Sequence, residues 1–173
     1  MGEKALAKTN AARLLDELNI AYTMSSAEVD EDDLSAVTMA RKLGVSVERV
    51  FKTLVAKGDK NGIVMACIPA AEELDLKKLA VATGNKNVHM VPLKDVRPLT
   101  GYIRGGCSPL AAKKKYPVVI DENAILYESI YVSAGQRGVQ VILAPAALAD
   151  YIRAKFVPLS ADPAAEQSEQ NNH

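Results

Sequence analysis

Apolar positions recur at helical spacing through residues 4–18, where Ala7, Ala11, Leu14, Leu15 and Leu18 share a face and Lys8, Arg13 and Glu17 lie mostly elsewhere. Asn19 ends that pattern, and Ile20-Ala21-Tyr22-Thr23-Met24 reads as a strand. Residues 28–33 are an acidic loop, after which Ser35 can cap a helix that turns Val37, Ala40 and Leu43 inward and stops at Gly44. The period then changes to two. In residues 50–56 strand alternation puts Phe51, Thr53 and Val55 on one face and Lys52, Leu54 and Ala56 on the other. A turn at 57–62 leads to a strand over 63–68 that is apolar on both faces. Such a strand belongs inside a layered α/β or closed sheet.

Asp75 is placed to cap a helix carrying Leu76, Leu79 and Ala80 as far as Gly84. Residues 88–91 form a short strand, and a short helix over 93–96 follows Pro92. Residues 100–109 read as a Gly-rich loop. Val118-Val119-Ile120 is a buried strand ending at Asp121. A strand over 130–133 runs into a loop at 134–138 and returns as 139–143. Residues 145–153 look helical, and Phe156-Val157 closes the sheet. The pattern gives one mixed α/β domain over residues 1–160 and a polar, flexible tail over 161–173.

Composition narrows the classes. At 173 residues the chain can bury a full core. Hydrophobic residues make up 49% and charged residues 24%, which fits neither disorder nor a membrane protein. No apolar run approaches the roughly 20 residues of a membrane span, and no secretory signal follows Lys4 and Lys8. With 21 basic and 21 acidic residues the strong positive excess of a general nucleic-acid coat is absent, and no DNA partner is expected. The charge is uneven, with Lys113, Lys114 and Lys115 together and Glu28, Asp30, Glu31, Asp32 and Asp33 clustered. Cys67 and Cys107 lie 40 residues apart without zinc spacing, so no metal is expected and reduced cytoplasmic thiols fit best. His89 and the terminal His173 offer little for a Ser–His–Asp arrangement.

Lys52 is the sharpest candidate. Its stem lies on an apolar strand face, so its ammonium either snorkels to water or meets an anion such as a phosphate or carboxylate. Gly105-Gly106, followed by Cys107-Ser108-Pro109, exposes main-chain N–H groups able to cradle an anion or oxyanion. Ser133-Ala134-Gly135-Gln136-Arg137-Gly138 adds a second loop of that kind. Cys107 is either a nucleophile or a small apolar filler. Tyr102 and Tyr131 either stack on a base or pack, and Asp75 is a cap.

Taken in order, Phe51-Lys52-Thr53-Leu54, the helix at 74–80, Thr100-Gly101-Tyr102, Gly105–Pro109 and Tyr131–Gly138 resemble the YbaK/EbsC-type aminoacyl-tRNA deacylases. These are free-standing relatives of the editing domain inserted in bacterial prolyl-tRNA synthetases. The resemblance runs to about residue 157. It implies a mixed, barrel-like sheet flanked by helices and removal of cysteine from proline tRNA, and also from cysteine tRNA. The alternatives are another small residue (alanine or serine) or a non-catalytic tRNA- or synthetase-binding module. Catalytic roles fall by resemblance on Lys52 and Gly101, and substrate contacts on Thr53, Gly105, Gly106, Cys107, Ser108, Pro109, Ser133, Gly135, Arg137 and Gly138. The implied partners are the 3′ acceptor end of an aminoacyl-tRNA and prolyl-tRNA synthetase, with no cofactor. The implied chemistry is substrate-assisted, the attached cysteine's thiol attacking its own ester. Ala27, Cys107, Ala134 and Gln140 depart from the family pattern near the pocket.

Overall fold

Helix ends are set by local chemistry. Thr9, Ser35 and Asp75 each accept main-chain N–H bonds as N-caps of α1 (Asn10–Glu17), α2 (Ala36–Leu43) and α3 (Leu76–Thr83). Gly44 and Gly84 close the latter two in left-handed geometry. The computed structural model describes residues 7–30, 32–33 and 35–162.

The strands form two sheets. In the larger, β2 (Phe51–Gly58) and β3 (Gly62–Pro69) make an antiparallel hairpin. Beside β2 lies the short antiparallel β4 (Val88–Met90), and beside β3 run β5 (Val118–Asp121) and β8 (Lys155–Val157), both parallel. The smaller sheet is antiparallel, in the order β1 (Tyr22–Ser26), β7 (Val139–Leu143), β6 (Ile130–Gln136). The remaining helices are α4 (Leu93–Thr100) and α5 (Pro145–Ile152). Phe51, Val55, Met65, Leu110, Ile120, Ile130, Val132 and Leu148 pack into one buried core between the sheets. On the opposite face of the larger sheet α3 lays Leu79 and Ala80 over Ala56, Val64 and Ile68. Residues Val64 to Pro69 of β3 are buried throughout, as expected of a strand covered on both sides.

The larger sheet is not a closed barrel. Its edges, β4 and β8, remain apart, and among the described residues a single parallel bridge, between Val50 and Tyr131, pairs the backbone beside β2 with the smaller sheet. Residues 134–136 are strand and not loop. The ladder of β6 with β7 slips between Ser133 and Gln136, so Ala134 and Gly135 form a bulge and the hairpin turn is confined to Arg137-Gly138. The helix after Pro92 reaches Thr100, whose hydroxyl donates to Val96 O at 2.8 Å.

Two helical faces also turn out differently. In α1, Ala12 is buried with Ala11 and Leu15, while Ala7 and Leu18 are exposed; residues 4–6 lie outside the described chain. In α2, Thr38 points inward and Val37 outward. Of the expected tail over 161–173, only Ala161 and Asp162 are described. Ala161 N–H donates to Glu73 O at 2.8 Å and Lys78 Nζ reaches Asp162, while residues 163–173 lie outside the described chain. Among the described residues no helix is long and apolar enough to cross a membrane.

Candidate functional site

From the Val50–Tyr131 bridge the two sheets splay apart, and the gap between them is the site. Ala70 N–H donates to Val50 O on the β3 side of β2, whereas Val91 N–H donates to Val55 O on the β4 side. Main-chain groups of successive strand residues point to opposite edges, so Phe51, Thr53 and Val55 all face the β4 side. Pairing with β4 stops at Ala56 opposite Met90. Between the Val50–Tyr131 bridge and the first pair with β4, the edge of β2 at Thr53 has no strand partner among the described residues. It opens on a cleft of about 540 Å³.

Lys52 stands in this cleft, half-buried, with no ion pair or hydrogen bond among the described residues. An unpaired strand edge beside an unpaired ammonium is a surface that can bind an extended anionic ligand through both main chain and charge. Arg104 adds a second cation on the loop side. Asp32 and Asp33 supply carboxylates on the α2 side. The Asp33 carboxyl is held down at about 2 by hydrogen bonds from Thr38 and Ser35, so it is ionised at any working pH. Met39, Met90, Leu93 and Val96 make an apolar wall, and Ser133 and Gln140 close the cleft from the smaller sheet.

Of the residues singled out from sequence, Lys52, Thr53, Gly105, Cys107 and Ser133 meet in the cleft. The others lie behind or beside it. Gly101 is the left-handed cap of α4, and its nearest neighbour from elsewhere in the chain is the Lys113 side chain. Gly106 spends its N–H on Ile103 O at 2.9 Å and lies so close to β6 that a Cβ would come within 3.2 Å of Arg137 N. Ser108 is fully buried and accepts a bond from Leu110 N–H at 3.2 Å. Pro109 lines a different cavity. Gly135 N–H donates to Ser133 Oγ at 3.1 Å, and the Tyr102 ring lies against the same glycine. Arg137 Nε donates to Arg104 O at 2.8 Å, and Gly138 abuts Ala27 and Val29. These contacts clamp the 101–109 loop to the end of β6 and so hold Arg104, Gly105 and Cys107 at the cleft.

Both tyrosines are spent on packing. Tyr102 donates its hydroxyl to Leu110 O, and Arg49 covers the ring of Tyr131 at 5.3 Å from its centroid. His89 is exposed on β4 and does not line the cleft. Burial pushes the Cys107 thiol up to about 12, so at neutral pH it carries its proton and is a poor nucleophile. Cys107→Ala is therefore expected to lower turnover by less than about tenfold, whereas removing a true nucleophile costs several orders of magnitude more. Single-turnover kinetics of the variant would check this; a collapse of turnover would make the thiol a reacting group.

Arg104 and the wall formed by Met39, Met90 and Leu93 escaped sequence reading. For Arg104 a signal was present, since it directly precedes the Gly105-Gly106 pair. The wall had none, because its members come from separate elements joined only by the fold.

The model of the aminoacyl-tRNA editing domain matches residues 30–151. The chain belongs to the aminoacyl-tRNA editing domain family. This editing domain is 47% identical, over 158 residues covering 91% of the chain and 96% of the relative, to EbsC of Enterococcus faecalis, a protein assigned as a candidate Cys-tRNA(Pro)/Cys-tRNA(Cys) deacylase. A proline–tRNA ligase of Thermosipho africanus is 29% identical over 97 residues, or 56% of the editing domain and 17% of the ligase. Among solved structures, that of a candidate trans-editing enzyme for prolyl-tRNA synthetase superposes with a TM-score of 0.74 over 90% of this editing domain and all of its own chain. At 22% identity that likeness is one of fold. The cleft, bounded by residues 32–140, falls inside the span that the family model matches.

Proposed function

We propose that this editing domain is a free-standing deacylase that removes cysteine from mischarged Cys-tRNA(Pro), and also from Cys-tRNA(Cys). The observation that carries the reading is the near full-length match to EbsC, 47% identical over 91% of this chain and 96% of the relative. The cleft supports it with complementary chemistry. An aminoacylated 3′ end presents a phosphate, a ribose, an ester and an α-ammonium group. Lys52 and Arg104 suit the anionic end, Asp32 and Asp33 suit the ammonium, and the apolar wall suits a small side chain such as that of cysteine.

Among the described residues lining the cleft, the Cys107 thiol is protonated and no histidine stands beside the hydroxyls of Ser35, Thr53 and Ser133 to activate one as a nucleophile. In the reaction we propose, the substrate cysteine supplies the nucleophile. The thiol gives up its proton, its sulfur bonds to the ester carbonyl carbon, the bond from that carbon to the ribose oxygen breaks, and the ribose oxygen takes up a proton in place of the one the thiol released. A cyclic thiolactone and free tRNA result. The chain's part is to hold thiol and ester in attack geometry and to stabilise the oxyanion that develops between them. Lys52 holds the terminal nucleotide, and main-chain donors at the Gly105–Cys107 turn polarise the carbonyl. Gly106 is not among those donors, since its N–H is already bonded to Ile103. Prolyl-tRNA synthetase, as the source of the mischarged product, is the natural partner.

Incubating the protein with Cys-tRNA(Pro), Ala-tRNA(Pro) and Pro-tRNA(Pro) tests the proposal. Cysteine is expected to be released and proline retained. Release of no amino acid would overturn the deacylase reading, and release of alanine without cysteine would overturn the thiol route.

A further inference from the structure

A second and larger cavity, about 930 Å³, lies on the other side of the 101–117 loop from the cleft. The loop borders both. Arg104, Gly105 and Cys107 face the cleft, while Pro109, Ala111 and Lys114–Tyr116 face the second cavity. Leu110, fully buried, packs into the core that the two share. Thr53 and Val55 of β2 line the cleft, and Met65 of β3 and Val118 of β5 line the second cavity. Val55 pairs with Met65, and Met65 with Val118, so these three side chains lie on one face of the sheet. From β2 to β5 is two strand spacings, roughly 10 Å.

Four cations ring this cavity: Arg13 on α1, Lys114 and Lys115 on the loop, and Arg153 after α5. Facing them are two carboxylates, Glu17 and Asp150. None of the four cations forms an ion pair among the described residues. In a chain whose formal net charge is zero, this is a local positive surface.

Its backbone is also strained. Three residues other than glycine have positive φ among the described residues: Asn19, Ala111 and Arg153. Asparagine tolerates that region, but alanine and arginine do so at a cost. Both costly residues line this cavity. Arg153, at φ 53, occupies the helix-capping position that glycine fills most easily. Strain retained at one site points to a use for the side chain there.

We infer that the second cavity docks the phosphodiester backbone of the tRNA acceptor arm whose 3′ end enters the cleft. The inference rests on the deacylase reading for the identity of the nucleic acid. Phosphate contacts of this kind carry affinity and register, leaving the chemistry to the cleft.

The test uses the double variant Lys115→Ala/Arg153→Gly. Glycine suits the backbone at 153, so the variant should fold at least as well as the wild type while losing two cations. Binding of uncharged tRNA(Pro), followed by fluorescence anisotropy across a salt series, is expected to weaken by about tenfold, with the log–log salt slope falling by roughly 1.4 to 1.8. With a cysteinyl ester of adenosine, too short to reach the second cavity, the variant is expected to match wild-type turnover. Unchanged tRNA affinity and salt slope would overturn the inference, as would wild type that does not bind tRNA. Wild type that binds tRNA through this surface but cleaves neither the cysteinyl ester of adenosine nor Cys-tRNA(Pro) would instead overturn the deacylase reading, so the two failures are distinguishable.

Discussion

Lys52→Ala is expected to lower kcat/KM for Cys-tRNA(Pro) by about two to three orders of magnitude, the usual consequence of removing a preorganised charge from a desolvated site. The lysine is half-buried, has no ion-pair partner among the described residues, and stands beside the uncovered edge of β2. The fold has little to lose. Only the aliphatic stem packs, and replacing a half-exposed lysine with no partner costs little stability. A thermal melt close to wild type together with a collapse in turnover is therefore the expected pair of results. Lys52→Arg should recover only part of the activity, because a planar fork does not place charge where a flexible ammonium does. A folded Lys52→Ala enzyme with unchanged kcat/KM would remove Lys52 from the site.

Gly138→Ala is expected to act on stability instead. Gly138 has φ 80, and an added Cβ would lie 2.6 Å from Ala27 O and 2.8 Å from a Val29 methyl group. The oxygen is main chain and is tied to this turn, since Ala27 N–H donates to Gly138 O at 2.9 Å. The left-handed backbone costs an alanine about 1–2 kcal/mol, and moving the neighbouring strand end adds a similar amount. A loss of roughly 2–4 kcal/mol corresponds, at this chain length, to a fall in melting temperature of about 5–15 °C. Gly138 does not line the cleft, so kcat/KM measured well below the melting transition should stay close to wild type. A folded variant with normal stability and lost activity would return Gly138 to substrate contact.

The contrast between these two residues marks how far sequence reading reaches. Lys52 and Gly138 were singled out together as members of one ordered set of motifs, and order along the chain does not distinguish a ligand contact from a turn that supports one. Gly101, Gly106, Ser108 and Gly135 are of the same kind: each stands near the cleft in sequence, and each is occupied with a cap, a close approach or a hydrogen bond inside the protein. The Arg137 side chain likewise bonds to Arg104 O and not to the cleft.

Local rules were legible where a single segment decides the outcome. Asp75 and Ser35 cap helices because a short acceptor side chain reaches N–H groups two or three residues on. The all-apolar run of β3 announced a strand covered on both faces. Periodicity misled where competing faces were nearly equal, as at Val37 and Thr38. There Thr38 is buried, and its hydroxyl bonds with Ser35 and Asp33 at the start of the helix. It also misled at Ala134 and Gly135, because a bulge keeps the strand going through residues that read as a loop.

What the sequence alone determined was the element order, the apolar faces of the strands, the family, and Lys52 as the residue to watch, since each depends on residues near one another in the chain or on their order. Only the tertiary structure decided that the sheet stays open and that Thr53 lies on an unpaired strand edge. It also brought Arg104, Asp33 and the methionines around Lys52, and gathered four cations from three segments around a second cavity. These depend on which elements stop short of one another in space. A strand edge is left bare by where its neighbour ends, and no pattern along β2 itself records that.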